Sequence, residues 1–450
     1  MPLQESDLIF SNAASALRTA LGDLKRSNLT IKNRLNSIKR DSVFVTDVAD
    51  FYQLPLIANE RCGSWYIPPH RKVGSAYFKS TDGHFGQWMF SLRRLNFQVL
   101  DVVGEHGGCV IVDSTRRGKS MPDALSKTAP IWITVLNRLL FPNDTSCHDL
   151  ETPSDVVSPS EHAQIEARIE SHLHAAQSLD LDLASLRTRI NNKPMAITWQ
   201  RPGDPLLSSP LSETNLVVLC TASNQTSNDT SANSSYVQGA ADDPESWSLG
   251  LDAATFWSHN ESLLAASEDE LPDLIESLLV QGAANPATRT MTLIKPTSSL
   301  WIGKPNEATL HSADFDVVIS CTTAALPVQP TSNEDGTPIP INLICTSGKV
   351  GSRQLRHELP KLLQLHHLLS KSPQLRLLIT CETGKDLSVG IALAVLCLFH
   401  NDAGEVQSTV TTEGINKDFI KKRLSWIMVS MPDAAPSRAT LQSVNAFLMG

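Results

Sequence analysis

Four apolar segments near the end of the chain alternate in kind, and this alternation restricts the fold more than any other feature of the 450 residues. Residues 341–345 and 375–380 are short apolar runs, as expected of strands covered on both faces. Residues 352–369 and 387–399 read as helices. Strand, helix, strand and helix in this order imply an α/β fold with a mainly parallel sheet flanked by helices. A further strand is expected at 317–321. The Pro-rich stretch 325–340 reads as a boundary, dividing the chain into 1–330 and 335–450. Two or three domains are expected at about 100–200 residues each.

The corner between the last strand and helix reads Cys381-Glu382-Thr383-Gly384-Lys385-Asp386-Leu387-Ser388. Backbone N–H groups at a helix start lack partners and attract an anion. Gly384 permits a tight curl, and Ser388 offers a hydroxyl. Cysteine phosphatases have this design, with an arginine six positions after the cysteine. Here that position is Leu387, which cannot clamp two phosphate oxygens as a guanidinium does. Lys385 retains one positive charge, and Asp386 and Glu382 oppose it. Phosphate binding is therefore expected and phosphomonoester hydrolysis through Cys381 is not; an ordinary corner around a buried cysteine is the alternative.

A second corner has the same plan. Residues 107–114 read as a buried strand, and a helix is expected from Pro122 through Leu125, Ile131, Val135 and Leu139. Between them lie Ser114, Thr115, Arg116, Arg117, Gly118 and Lys119, suited to a polyphosphate or a sugar phosphate. A Walker A loop is excluded, because Asp113 stands where its first glycine would be. Asp242 and Asp243, beside Gly239, could hold Mg²⁺ or supply a general base, or form a plain acidic turn. Asp82 and His84 are candidates for proton transfer. Trp65, Tyr66, Phe78, Phe85 and Trp88 are expected to fill a core.

Charge is distributed unevenly. Residues 1–140 carry 18 Lys/Arg against 12 Asp/Glu, residues 141–344 carry 8 against 27, and residues 345–430 carry 11 against 7. A net charge of −9 thus coexists with two basic ends, and local basic surface is what nucleic-acid binding requires. A basic helix is expected over 6–40, where Lys25, Arg26, Lys32 and Arg34 form a solvated face or an RNA-contacting arm. Arg93 and Arg94 are further phosphate-contact candidates. The eight cysteines include no Cys-x-x-Cys pair, which argues against a zinc ribbon. No apolar run is long enough to span a membrane, and the start of the chain does not read as a secretory signal, so a cytoplasmic protein is expected.

Seven stretches together resemble one family, the fungal and plant initiator tRNA phosphoribosyl transferases. They are Gly63-Ser-Trp-Tyr-Ile-Pro-Pro69, Ser80-Thr-Asp-Gly-His84 with Gly86-Gln-Trp88, Phe90-Ser-Leu-Arg-Arg-Leu-Asn96, Val112-Asp-Ser-Thr-Arg-Arg-Gly-Lys119, Met121-Pro-Asp-Ala-Leu-Ser-Lys127, Tyr236-Val-Gln-Gly-Ala-Ala-Asp-Asp243 and Cys381-Glu-Thr-Gly-Lys-Asp-Leu-Ser388. The resemblance covers the chain from near residue 60 to residue 400. It implies an N-terminal transferase domain with an acidic middle, 141–330, and a C-terminal domain like a dual-specificity phosphatase. It implies transfer of ribosyl phosphate from 5-phosphoribosyl 1-pyrophosphate to the 2′-hydroxyl of a T-stem adenosine, tRNA position 64, of initiator methionine tRNA. This keeps the initiator out of elongation. On that reading both loops hold donor phosphates, Mg²⁺ accompanies the donor, and Asp242 or Asp243 is the base or metal ligand, with Asp82 and His84 behind them. An inactive phosphatase-like module that binds phosphorylated partners is the alternative.

Overall fold

The computed structural model describes residues 29–81, 86–116, 118–206, 213–223, 235–283, 291–304, 315–323, 338–346, 348–372, 374–407, 414–431 and 434–450. Two compact units are present. One holds most of the chain up to residue 286; the other holds the chain from 287 onward together with 91–97 and 174–182.

The first unit is built on a five-stranded parallel sheet. Its strands are β1 (Leu56–Asn59), β2 (Lys72–Ala76), β3 (Gly108–Asp113), β4 (Met195–Gln200) and β5 (Asn215–Thr221), in the order β2-β1-β3-β5-β4. Every residue of β3 and β5 is buried, which explains their continuous apolar sequence. The helix Ile31–Tyr52 starts at Thr30, whose hydroxyl accepts from Asn33 N–H, and stops at Gln53 in the left-handed region. The helix expected from Pro122 opens as a π-turn over Ala124–Thr128 and continues as an α-helix over Ala129–Leu140. Pro130 has no N–H to give and would crowd the carbonyl four residues back, so the wide turn accommodates it. Two further helices, Pro159–Gln177 and Leu183–Arg189, are separated by Asp180 at φ 53°.

The second unit holds β6 (Thr292–Leu293), β7 (Leu300–Gly303), β8 (Val317–Thr322), β9 (Ile339–Ile344) and β10 (Leu377–Cys381), in the order β6-β7-β10-β8-β9. β6 runs antiparallel to β7; the other pairings are parallel. The boundary expected at 330–335 falls within this sheet. The Pro-rich stretch joins β8 to β9, which are hydrogen-bonded neighbours, and the division lies near residue 286. The helix expected over 352–369 is a helix at Gly348–Glu358, a 3₁₀ turn containing Pro360, and a helix at Leu365–Lys371.

The helix Leu387–Phe399 is buried at every residue. It packs against β10 and against the helices Lys417–Ser430 and Arg438–Leu448, so its sequence is apolar on all sides. Among the described residues, no helix is long and apolar enough to cross a membrane.

Candidate active site

β2 and β3 lie on opposite sides of β1, so the carboxyl ends of β1 and β3 flank a topological switch point. In parallel α/β sheets this crevice is the usual ligand site. β1 ends in Asn59-Glu60-Arg61-Cys62, and β3 ends in Asp113-Ser114-Thr115-Arg116. A cleft of about 970 Å³ opens here, bordered by Glu60, Arg61, Ser64, Arg116, Asp242 and Asp243 among others.

Asp113 anchors the site. It has no solvent exposure. Its carboxylate accepts from Asn59 Nδ2 at 2.9 Å, from its neighbour Ser114 N–H at 2.8 Å and from the Cys62 thiol at 3.0 Å. Arg61 adds an ion pair at 3.0 Å and reaches Asp242 with another nitrogen, also at 3.0 Å. One guanidinium thus ties the ends of β1 and β3 to the 236–243 segment. Burial, followed by the charge of Asp113, pushes the Cys62 thiol far up, so it is a neutral donor and not a nucleophile. Burial also raises the Asp242 carboxyl above its ordinary value, while Arg61 pulls it back down. Glu60 is moved the other way: burial would raise it, but the hydrogen bonds it accepts from Lys72, Ser75 and Ser64 hold it down.

The 236–243 segment lies directly on the loop after β3. Gly239 sits at φ 67°, where a Cβ would come within 2.7 Å of the Thr115 carbonyl oxygen, so only glycine fits. Gln238 donates to the Lys119 carbonyl at 2.8 Å, and Gly239 N–H donates to Ser223 Oγ, which is 2.6 Å from Ser114 Oγ. Ala241 N–H donates to the buried Tyr66 hydroxyl at 3.1 Å. Asp243 follows at φ 48°, exposed at the cleft. The hydroxyls of Thr115 and Thr221, at the carboxyl ends of β3 and β5, are buried without a partner among the described residues. An unpaired buried hydroxyl costs about 1–3 kcal/mol, so the end of the sheet is suited to receive a ligand.

Several expected residues come together and others do not. Thr115, Arg116, Gly118, Lys119, Asp242 and Asp243 belong to this one region. Lys119 lies 3.5 Å from Asp123, which also holds Lys127 at 3.3 Å. Arg117, Asp82 and His84 lie outside the described residues; the segment leading to the last two reaches the site, since Ser80 lines the cleft and Thr81 donates to Asp123. Trp65, Tyr66, Phe78 and Trp88 are core residues, and Phe85 is outside the described set.

Of the four expected RNA-facing cations among the described residues, three are turned inward. Lys32 donates to the carbonyls of Leu264 and Ala266. Arg34 donates to the Ala240 carbonyl at 2.8 Å and stacks on Trp247. Lys32 and Arg34 therefore clamp the acidic middle of the chain. Lys25 and Arg26 lie outside the described residues. Arg94 donates to the Ala434 carbonyl, and Arg93 is exposed. Sequence reasoning missed Glu60, Arg61 and Cys62. The available signal was a glycine two residues after the arginine: a Cβ at Gly63 would lie 2.2 Å from the Val112 carbonyl oxygen, so this turn must sit against β3.

The Cys381 corner, in the other unit, has the expected strand, loop and helix. Gly384 is at φ 67° and packs against Gly303 and Lys304. Its polar groups are largely committed. The Cys381 thiol donates to Ser388 Oγ at 3.1 Å. Asp386 accepts from Ser437 N–H at 2.8 Å and from the Thr440 hydroxyl at 2.6 Å. Leu387, in the arginine position, belongs to the hydrophobic core, and Ser388 is fully buried. Glu382 and Thr383 are exposed, and Lys385 is half-buried.

Comparison with known proteins gives a consistent result. Residues 24–280 match the model of the Rit1 N-terminal domain, and residues 340–448 match that of the Rit1 DUSP-like domain. A Saccharomyces cerevisiae protein, tRNA A64-2′-O-ribosylphosphate transferase, is 35% identical over 95% of this chain and 94% of its own length. An uncharacterized Schizosaccharomyces pombe protein is 36% identical over 93% of this chain and 94% of its own. Among solved structures, human DUSP28 is similar at 15% identity and a TM-score of 0.26, over 36% of this chain and 96% of that one. The Yvh1 phosphatase domain of Chaetomium thermophilum is similar at 14% identity and a TM-score of 0.26, over 35% and 95%.

Proposed function

We propose, from the premise that this chain belongs to the Rit1 family, that it is a tRNA 2′-O-ribosylphosphate transferase. It moves ribosyl phosphate from 5-phosphoribosyl 1-pyrophosphate to the 2′-hydroxyl of adenosine 64 in initiator methionine tRNA, and so excludes that tRNA from elongation. The observation that carries the reading is the switch-point cleft, where Arg61 bridges Asp113 and Asp242 beside the Arg116 loop.

In the reaction the bond from the anomeric carbon to pyrophosphate breaks, and a bond from that carbon to the acceptor oxygen forms. The acceptor proton passes to a base, and pyrophosphate leaves. Asp242 suits the base, because burial raises its affinity for a proton while Arg61 keeps it from being fully neutralised. Arg61 also orients it through the 3.0 Å contact. Arg116 lies where a phosphate can approach the exposed loop, and the carboxylates of the cleft suit the positive charge that develops on the sugar as pyrophosphate departs.

Five carboxylates (Glu60, Asp242, Asp243, Glu245 and Asp252) line this cleft against the guanidiniums of Arg61 and Arg116. A polyanionic donor is repelled by such a lining unless a cation comes with it. Mg²⁺ fits, with Asp243 as the exposed protein ligand and Asp242 beside it, and it would neutralise the pyrophosphate as leaving group. Such an ion would arrive with the donor's phosphates and complete its shell with water.

The site lacks the phosphatase arginine, and the side-chain hydroxyl and carboxylate of the Cys381 corner are already bonded. The donor is therefore assigned to the first unit. The test is incubation with donor labelled in its ribose and with initiator tRNA. Label mapped to adenosine 64 is the expected result. Release of phosphate from a generic phosphomonoester, with no label in tRNA, would replace the proposal by phosphatase chemistry.

A further inference from the structure

The second unit carries a basic groove that no step above uses. It is about 710 Å³ in volume and lies between the helices Gly348–Glu358 and Arg438–Leu448. Arg353, Arg356, His357, Arg438 and Gln442 border it, and all five are exposed.

The two helices are fixed against each other by small polar residues. Ser352 is fully buried, with its hydroxyl 3.0 Å from Thr440 Oγ1 and 3.3 Å from Ser437 Oγ. Ser443 donates to the Ser352 carbonyl at 2.5 Å. This packing brings the last turns of the first helix, with Arg353 and Arg356 three residues apart on one face, alongside the first turn of the second. The groove is thus a built feature with cations on both walls.

Among the described residues those cations have no acidic partner. Elsewhere in the same unit Lys361 pairs with Glu358, Lys421 with Asp418, Lys422 with Asp402 and Arg423 with Asp402. Arg353, Arg356 and Arg438 form no ion pair among the described residues. Arg356 and His357 at least suit the negative end of their own helix. Arg438 does not: it is the first residue of its helix, where the backbone is already positive and acidic side chains are favoured. A cation at that end, facing two more across a groove, is unfavourable until a polyanion arrives.

We infer that this groove binds the phosphate backbone of the tRNA substrate. The inference rests on the proposed function for the identity of the RNA. An open groove with charges spread along two helices matches a run of phosphates better than the single deep pocket that one phosphate group needs. Backbone contact without base reading is also how folded RNA is mostly held. It supplies the basic surface that Lys32, Arg34 and Arg94 do not.

The experiment uses the full chain and measures binding of initiator tRNA over a series of salt concentrations, together with the transfer reaction. For Arg353→Gln with Arg356→Gln, the tRNA dissociation constant rises about tenfold or more. The slope of log affinity against log salt becomes shallower by about two, one unit for each lost phosphate contact. The KM for tRNA rises, while the KM for the donor and the rate at saturating tRNA stay as in the parent. Arg438→Gln gives a smaller change in the same direction, and all variants melt as the parent does. Parent-like tRNA affinity and salt slope in the double variant would overturn the inference. So would unchanged tRNA binding alongside lost binding of a phosphopeptide or of anionic vesicles. Failure of the proposed function shows separately, as absence of label transfer by the parent protein, and the binding series still decides the groove.

Discussion

The loops that follow β3 and β10 start from the same local plan: a buried parallel strand, a glycine-containing turn and a buried helix. They differ in where their polar groups go. After β3, Arg116 remains at an open cleft, Arg61 and Asp242 face the same space, and the Thr115 hydroxyl has no partner among the described residues. After β10, Cys381 bonds Ser388, Asp386 bonds Ser437 and Thr440, and Leu387 joins the core. A strand-loop-helix corner supplies backbone amides in both cases. Chemistry additionally needs side chains left uncommitted and a space to point them into, and only the first corner keeps its charged side chains at such a space.

The largest effect expected from this contrast is for Asp242→Asn. It lowers the transfer rate by roughly 10²–10⁴-fold, the usual worth of a general base, with tRNA binding retained. Cys381→Ser stays within about threefold of the parent, since its thiol bonds a serine and touches no reacting atom in the proposed scheme. Collapse of transfer in Cys381→Ser, measured with labelled donor, would break the comparison.

Stability separates the corners next. Arg61→Ala leaves the buried Asp113 without its cation and costs about 3 kcal/mol, read as a lower denaturant midpoint. Leu387→Arg restores the phosphatase pattern but places a charge in the core, at a cost of about 3 kcal/mol or more; phosphatase activity in a stably folded Leu387→Arg protein would show that the second corner was only one residue from use.

Acid sensitivity is expected from the second unit. His400 is buried, and burial lowers its pKa from 6.5 to about 4. The unfolded chain takes up this proton first as pH falls. Stability is therefore full above pH 6.5 and is lost progressively toward pH 4, by on the order of 3 kcal/mol. His400→Asn should flatten that part of a plot of stability against pH.

Gly239→Ala introduces a left-handed alanine against the Thr115 carbonyl and costs about 1–3 kcal/mol, with transfer falling as the Asp242 segment shifts. Gly384→Ala carries comparable strain, yet its remaining folded fraction transfers normally. The smallest effect is for Lys385→Ala, with donor affinity changed less than about threefold because a single half-buried point charge is still partly screened by solvent. A larger loss in donor titration would return the second corner to the donor site.

How much of this was legible depended on range. β3 and β10 and the helix Leu387–Phe399 were readable because elements buried on all sides have continuously apolar sequences. β1, with four residues, and β2, with the sequence Lys-Val-Gly-Ser-Ala, gave no such run. Arg116 and Asp242 could be proposed from local composition. Arg61 could not, since its meaning lies in carboxylates 52 and 181 positions away. The inward contacts of Lys32 and Arg34 were hidden for the same reason: charge in sequence does not say which carbonyls or rings the side chain will meet.

The sequence by itself determined the α/β class, the two strand-loop-helix corners, the absence of a phosphatase arginine and the family, because each is written in residue order over short spans. The tertiary structure decided which corner is open. Strand order brings the ends of β1 and β3 side by side, Gly239 lets the 236–243 segment lie on the loop between them, and the packing of two late helices gathers Arg353, Arg356 and Arg438 around one groove. Those are contacts between residues far apart in the chain, and burial and charge pairing act on distance in space.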